Sequence, residues 1–143
     1  MPLPSLRMPK AKILDTNVLI NHWHRFAEHE RRTPASLQAH AEELIEVQGT
    51  KSIVSPVLIE FLAGALTSNE LDLYRAYLAP FEVLDRGNIP RQDWEEAKRL
   101  AQRIRSEGRK RRLGDCLIQA IASRLNCDVI TGDPDFRPRM PPR

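Results

Sequence analysis

The chain has 143 residues, 41% of them hydrophobic and 29% charged, with a net charge of +3 and a pI near 9.1. That is ordinary globular usage for one domain with a single core, and no apolar run approaches the ~20 residues of a membrane span. Two cysteines, Cys116 and Cys127, stand far apart without a Cys-x-x-Cys, which reads as small buried side chains in a reducing, cytoplasmic setting rather than a disulfide.

In chain order, residues 1–10 hold three prolines and no apolar h-region, so they read as a loose leader, with Met8 a candidate natural start. The run Ala11-Lys12-Ile13-Leu14 is a first strand, followed by a helix over residues 17–25 and a polar connection over residues 28–34. Ser36 suits an N-cap, with Leu37, Ala41, Leu44 and Ile45 on one helical face. Ser52-Ile53-Val54 is a short strand, and Ser55-Pro56 follow as N-cap and first helical position of an apolar helix over residues 57–66. Asn69 is expected to cap the next helix, which carries Leu71, Tyr74 and Leu78, and residues 81–84 form a third strand. Pro90 opens an amphipathic helix with Trp94, Ala97, Ala101 and Ile104 on one side. The loop 108–114 leads to a helix that turns Leu117, Ile118, Ile121, Ala122 and Leu125 inward, and residues 127–131 form the last strand. Residues 137–143 are too rich in proline for a helix or inner strand. Short apolar runs alternating with helical patterns argue for an α/β domain of parallel βα units over residues 11–136.

Four acids fall where an apolar run ends or a helix begins. Asp15 closes the first strand, Asp115 opens the helix after Gly114, and Asp133 follows the last strand in Thr131-Gly132-Asp133-Pro134-Asp135-Phe136. Glu60 is the only charged residue between Ser52 and Asn69, and a carboxylate inside that apolar run is expected to be partly desolvated. In an open parallel sheet, strand ends and the helix starts after them share the ligand-binding edge. Acids gathered there repel one another and take up protons unless a cation holds them ionised. The residues also allow plainer roles: Asp15 and Asp115 suit N-caps, and Asp133 before a proline suits a turn.

An all-oxygen set fits Mg²⁺ or Mn²⁺ better than zinc. The histidines form no rival pattern, because His22 and His24 point to different sides of a helix while His29 and His40 stand alone. No Gly-x-Ser-x-Gly, phosphate loop or dinucleotide fingerprint occurs, and Asp15-Thr16-Asn17 lacks the second aspartate of an aspartyl-phosphate phosphatase. Residues 97–112 carry eight basic side chains against Glu107 alone. Such a run is commonly a solvated face, but Arg109, Lys110, Arg111 and Arg112 end three residues before Asp115, where they can hold phosphates beside a metal. A basic exterior around an acidic pocket suits nucleic acid.

These residues resemble a PIN-domain ribonuclease, and more narrowly the VapC toxins of bacterial toxin–antitoxin pairs. The resemblance runs from Ile13 to Phe136 and is carried by Ile13-Leu14-Asp15-Thr16-Asn17-Val18-Leu19, Ser55-Pro56-Val57-Leu58-Ile59-Glu60, Leu113-Gly114-Asp115-Cys116-Leu117-Ile118 and Val129-Ile130-Thr131-Gly132-Asp133-Pro134-Asp135-Phe136. It implies a three-layer PIN-like α/β fold, with a central parallel sheet flanked by helices, and a Mg²⁺- or Mn²⁺-dependent endoribonuclease. Asp15, Glu60, Asp115 and Asp133 would be its acidic quartet and Thr16, Asn17, Thr131 and Asp135 its polar support. It also implies a small antitoxin partner and a homodimer. Fourteen residues before the first aspartate, and a long polar stretch from His22 to Pro34, depart from the family pattern. A PIN nuclease of RNA processing without an antitoxin, and a catalytically silent PIN-fold binding module, are the alternatives.

Overall fold

The computed structural model describes residues 10–26, 30–103 and 112–132. Within them β1 (Ala11–Leu14) leads to α1 (Thr16–His24) and α2 (Pro34–Gln48), then β2 (Ser52–Ile53), α3 (Ser55–Ala63) and α4 (Ser68–Leu78). They are followed by β3 (Glu82–Val83), α5 (Arg91–Ala101), α6 (Leu113–Arg124) and β4 (Cys127–Ile130). The two tails, apart from Lys10, lie outside the described residues.

All strand pairing is parallel. β1 pairs with β4, Ala11 opposite Cys127 through Leu14 opposite Ile130, and β2 pairs with β3, Ser52 opposite Glu82 and Ile53 opposite Val83. The pairs form separate ladders, but β1 lies beside β2, and the Thr50 hydroxyl bridges them by donating to the Lys12 carbonyl at 2.7 Å. Ile13 and Leu14 on β1, Ile53 and Val54 after it, and Val57, Phe61, Tyr77 and Ile121 from the helices are buried together in the main core. A smaller cluster of Ala97, Cys116, Leu117 and Ala120 fills the space between α5 and α6. Cys116 is buried and Cys127 half-buried, and neither is in a disulfide.

Helix starts differ from the sequence expectation where tertiary or reciprocal contacts supply the cap. α2 begins three residues earlier than Ser36 implied, because Thr33 is the cap and Pro34 lies in the first turn, where its missing N–H is no loss. Ser36 instead closes a capping box, taking the Thr33 N–H at 2.9 Å while its own N–H donates to Thr33 Oγ1 at 3.1 Å. Thr67, not Asn69, caps α4 by accepting from the Glu70 N–H. Ser55 is the first residue of α3 rather than its cap. Its N–H donates to Asp85 Oδ1 at 2.8 Å, beyond the end of β3, and its hydroxyl accepts from the Gly87 N–H at 2.9 Å.

α5 presents a different face from the one its apolar spacing suggested. Trp94 is 44% exposed, Ala101 is exposed, and Ile104 lies outside the described residues, whereas Asp93 is buried. The cause is the Arg124 guanidinium on α6, whose Nε lies 2.9 Å from both Asp93 carboxylate oxygens. A buried carboxylate keeps its place only with such a partner, and the inward side of α5 is Asp93 together with Ala97, which is buried as expected, while Trp94 lies outward.

His22, on the inner face of α1, ties three helices together. Its Nδ1 lies 2.6 Å from the Tyr77 hydroxyl on α4, and its ring stacks on that of His40 from α2 with centroids 3.7 Å apart. Burial first, then the His40 and Arg25 charges, lower the His22 pKa from 6.5 to about 4. The unfolded chain therefore binds more protons between those values. The contribution is complete above pH 6.5 and is lost as pH falls towards 4. Urea denaturation should show stability falling by about 2 kcal/mol between pH 6.5 and pH 5, at about 1.36 kcal/mol per pKa unit, and His22→Gln should flatten that slope.

Candidate metal centre at the strand ends

The site is built outward from Asp15, which is 4% exposed. Its backbone N–H donates to the Ile130 carbonyl at 2.8 Å, carrying the β1–β4 ladder one residue further. Its side chain accepts the Thr16 N–H on Oδ1 at 2.7 Å and the Thr131 hydroxyl on Oδ2 at 2.8 Å. The expected capping role is therefore real, and it leaves each carboxylate oxygen a further lone pair. Thr16 itself is buried, and its hydroxyl has no hydrogen-bond partner among the described residues. Asn17 is exposed on the outer side of the same helix.

Glu60 comes from α3, at the solvent edge of the face that buries Val57 and Phe61. It is exposed, as is Ile59, and yet it is partly desolvated as expected. A helix alternates its faces every few residues, and one side of this run belongs to the core while the other meets solvent. The surrounding protein still raises the Glu60 pKa first by desolvation, and the charges of Asp15 and Asp115 push it further, with Arg112 opposing them. Its carboxyl reaches the first turn of α6, where a Cβ on Gly114 would lie 2.7 Å from Glu60 Oε2.

Asp115 is half-buried in that first turn. It is not the N-cap, a position taken by Arg112 without a side-chain hydrogen bond. Three of the expected acids thus come from a strand end, α3 and α6 to one pocket edge, and Arg112 stands near enough to Glu60 to offset its charge. Thr131 joins them through Asp15, and Gly132 follows against α1, where a Cβ would lie 3.4 Å from Asn21 Nδ2 and 3.9 Å from Asn17 Cβ. Asp133, Asp135, Arg109, Lys110 and Arg111 lie outside the described residues.

The donor set fits a hard divalent cation. It consists of carboxylates, and the mutual repulsion registered at Glu60 is what a cation would relieve. Among the described residues, His22, His40 and Glu43 bring possible ligand atoms within 4.8 Å of one another, a closeness that Asp15, Glu60 and Asp115 do not share. As arranged, the two imidazole rings do not aim at a common point. The imidazoles are stacked 15° from parallel, so a cation in the plane of one ring would lie off the plane of the other. One nitrogen of each ring is engaged, His22 Nδ1 by the Tyr77 hydroxyl and His40 Nε2 by the His22 carbonyl, while His40 Nδ1 lies 3.7 Å from Glu43 Oε2. That pair was not legible from the spacing of His22 and His24, because His40 reaches it from another helix.

Two contributors were missed in the sequence. Gly114 matters because it lacks a side chain, and Asp85 because it anchors the start of the helix bearing Glu60. The only local signal for Gly114 was its place just before Asp115.

A model of the PIN domain matches residues 12–138. The match spans most of the chain, which belongs to the PIN-domain family. PIN domains are generally metal-dependent nucleases that hydrolyse phosphodiester bonds. A comparison with curated proteins finds no match. Among the described residues, no helix is long and apolar enough to cross a membrane.

Gly114→Ala separates the site from the fold. Alanine favours a helix by roughly 1 kcal/mol over glycine, and the crowded atom is the end of a flexible side chain. Thermal melting should therefore be unchanged or slightly higher, while displacement of Glu60 should lower nuclease activity at least tenfold. Full activity in this variant would show that the Glu60 position does not matter.

Proposed function

We propose that the chain is a Mg²⁺- or Mn²⁺-dependent endoribonuclease acting as the toxin of a toxin–antitoxin pair, with its nuclease domain over residues 11–136. The observation that carries the nuclease reading is the convergence of Asp15, Glu60 and Asp115, with Glu60 made harder to ionise first by desolvation and then by the charges of the other two. Asp15, Asp115 and Asp133 hold the cation, and Glu60 completes the set or orients the attacking water. A divalent cation there supplies positive charge to the phosphoryl oxygens and activates water. The residues of the chain do the rest. Thr131 and the Thr16 N–H hold the Asp15 carboxylate in one orientation. Asn17 and Asp135 support the pocket, while Arg109, Lys110, Arg111 and Arg112 receive RNA phosphates beside it. No side chain serves as a nucleophile in this reading.

Cleavage of an RNA substrate should require Mg²⁺ or Mn²⁺, stop with EDTA, and fall at least a hundredfold in Asp15→Asn and Asp115→Asn. Undiminished cleavage by both folded variants would refute the mechanism.

The surface offered for the toxin's partner is a shallow, open groove of about 330 Å³ between α3 and α4, lined by Leu62, Ala65, Leu66 and Leu71 together with the polar Thr67 and Ser68. Leu66 is 87% exposed and Ile59 63% exposed. Such a surface suits an amphipathic helix of a small antitoxin, and a homodimer through the same helices is the companion proposal. Expression of the chain alone should arrest growth of its host, and Asp15→Asn should relieve the arrest. Co-expression with the product of a neighbouring small gene should give a stable complex with little nuclease activity. Harmless expression and no binding neighbour would refute the toxin role and leave the nuclease intact.

A further inference from the structure

The outward face of α1 carries Asn17, Asn21 and, at its C-cap, Arg25, each four residues after the last and all exposed. Four residues advance about one turn, so the three side chains form a line. The line starts two residues from Asp15 and runs away from the acids. It is joined to them a second time by the segment after β4. Thr131 binds the Asp15 carboxylate, and the next residue, Gly132, lies against Asn21 and Asn17. α1 itself contains no acidic residue.

None of the three side chains makes a hydrogen bond or ion pair with a described residue, which leaves their polar groups for solvent or a ligand. Asparagine is a poor helix former, and two of them a turn apart give up propensity without an internal bond in return. Carboxamides offer paired donors and an acceptor to a base edge or a ribose 2′-hydroxyl, while a guanidinium suits a phosphate. A cation at a helix C-terminus also complements the helix dipole, so Arg25 alone carries no conclusion. The continuity of the line with the acid pocket does.

We infer that this face of α1 is the track along which the single-stranded RNA flanking the scissile phosphate leaves the acid pocket, with Asn21 on a nucleotide and Arg25 on a phosphate. The inference rests on the ribonuclease reading and adds a binding surface separate from the basic segment before α6.

The test is binding of a labelled single-stranded RNA in EDTA, where no cleavage occurs and monovalent salt alone sets the slope. Arg25→Gln should weaken binding and lower the log–log salt slope by about 0.7, the value for one lost phosphate contact on a single strand. Arg25→Lys should keep that slope. Asn21→Ala should weaken binding about threefold or more with the slope unchanged, and with Mg²⁺ it should alter cleavage preference beside the cut on a mixed-sequence RNA. Thermal melting should match the parent in both Arg25 variants and be unchanged or slightly higher in Asn21→Ala. If the parent binds and cleaves RNA while both substitutions leave affinity, slope and cleavage pattern unchanged, the track is refuted and the nuclease reading stands. If the parent neither binds nor cleaves RNA, both are refuted together.

Discussion

The candidate site depends on how Asp15 is held. A carboxylate buried at a strand end, with two other acids nearby, is unfavourable unless its geometry is fixed and its oxygens are satisfied. Here the main chain of Asp15 extends the ladder to β4, its Oδ1 takes the first N–H of α1, and its Oδ2 takes the Thr131 hydroxyl. These bonds join the beginning and the end of the described chain at one residue.

The other acids are placed less rigidly. Glu60 is exposed at the end of a flexible side chain, and it absorbs the repulsion of Asp15 and Asp115 by becoming harder to ionise. Space for it exists because Gly114 has no Cβ in its way. The site therefore combines one pinned carboxylate with one that can adjust, an arrangement suited to accepting a cation without reorganising the sheet.

The rest of the fold stabilises the platform without entering the pocket. Asp93 and Arg124 join α5 to α6, which bears Asp115. Asp85 joins the end of β3 to the start of α3, which bears Glu60. His22, His40 and Tyr77 join α1, α2 and α4 on the side of α1 opposite its exposed asparagines. In each case a buried polar group is matched by a partner from a different element, so the helices that carry the site are oriented by polar contacts as well as apolar packing.

The sequence by itself determined the βα alternation, the four strand positions within a residue or two, and the positions of Asp15, Glu60 and Asp115 along the chain. These are local features, since an acid at the end of an apolar run is visible without knowing what packs against it. Only the tertiary structure decided which groups meet. It made Asp93 rather than Trp94 the inward residue of α5, through Arg124 at 31 positions' distance. It brought His22 to Tyr77 across 55 positions, and it placed the bare Cα of Gly114 against Glu60. It also placed Glu60 at an exposed edge where the protein still desolvates it in part. Periodicity reports the average face of a helix, but a single ion pair or the lack of one side-chain atom depends on a partner far along the chain, and that partner is set only when the elements pack.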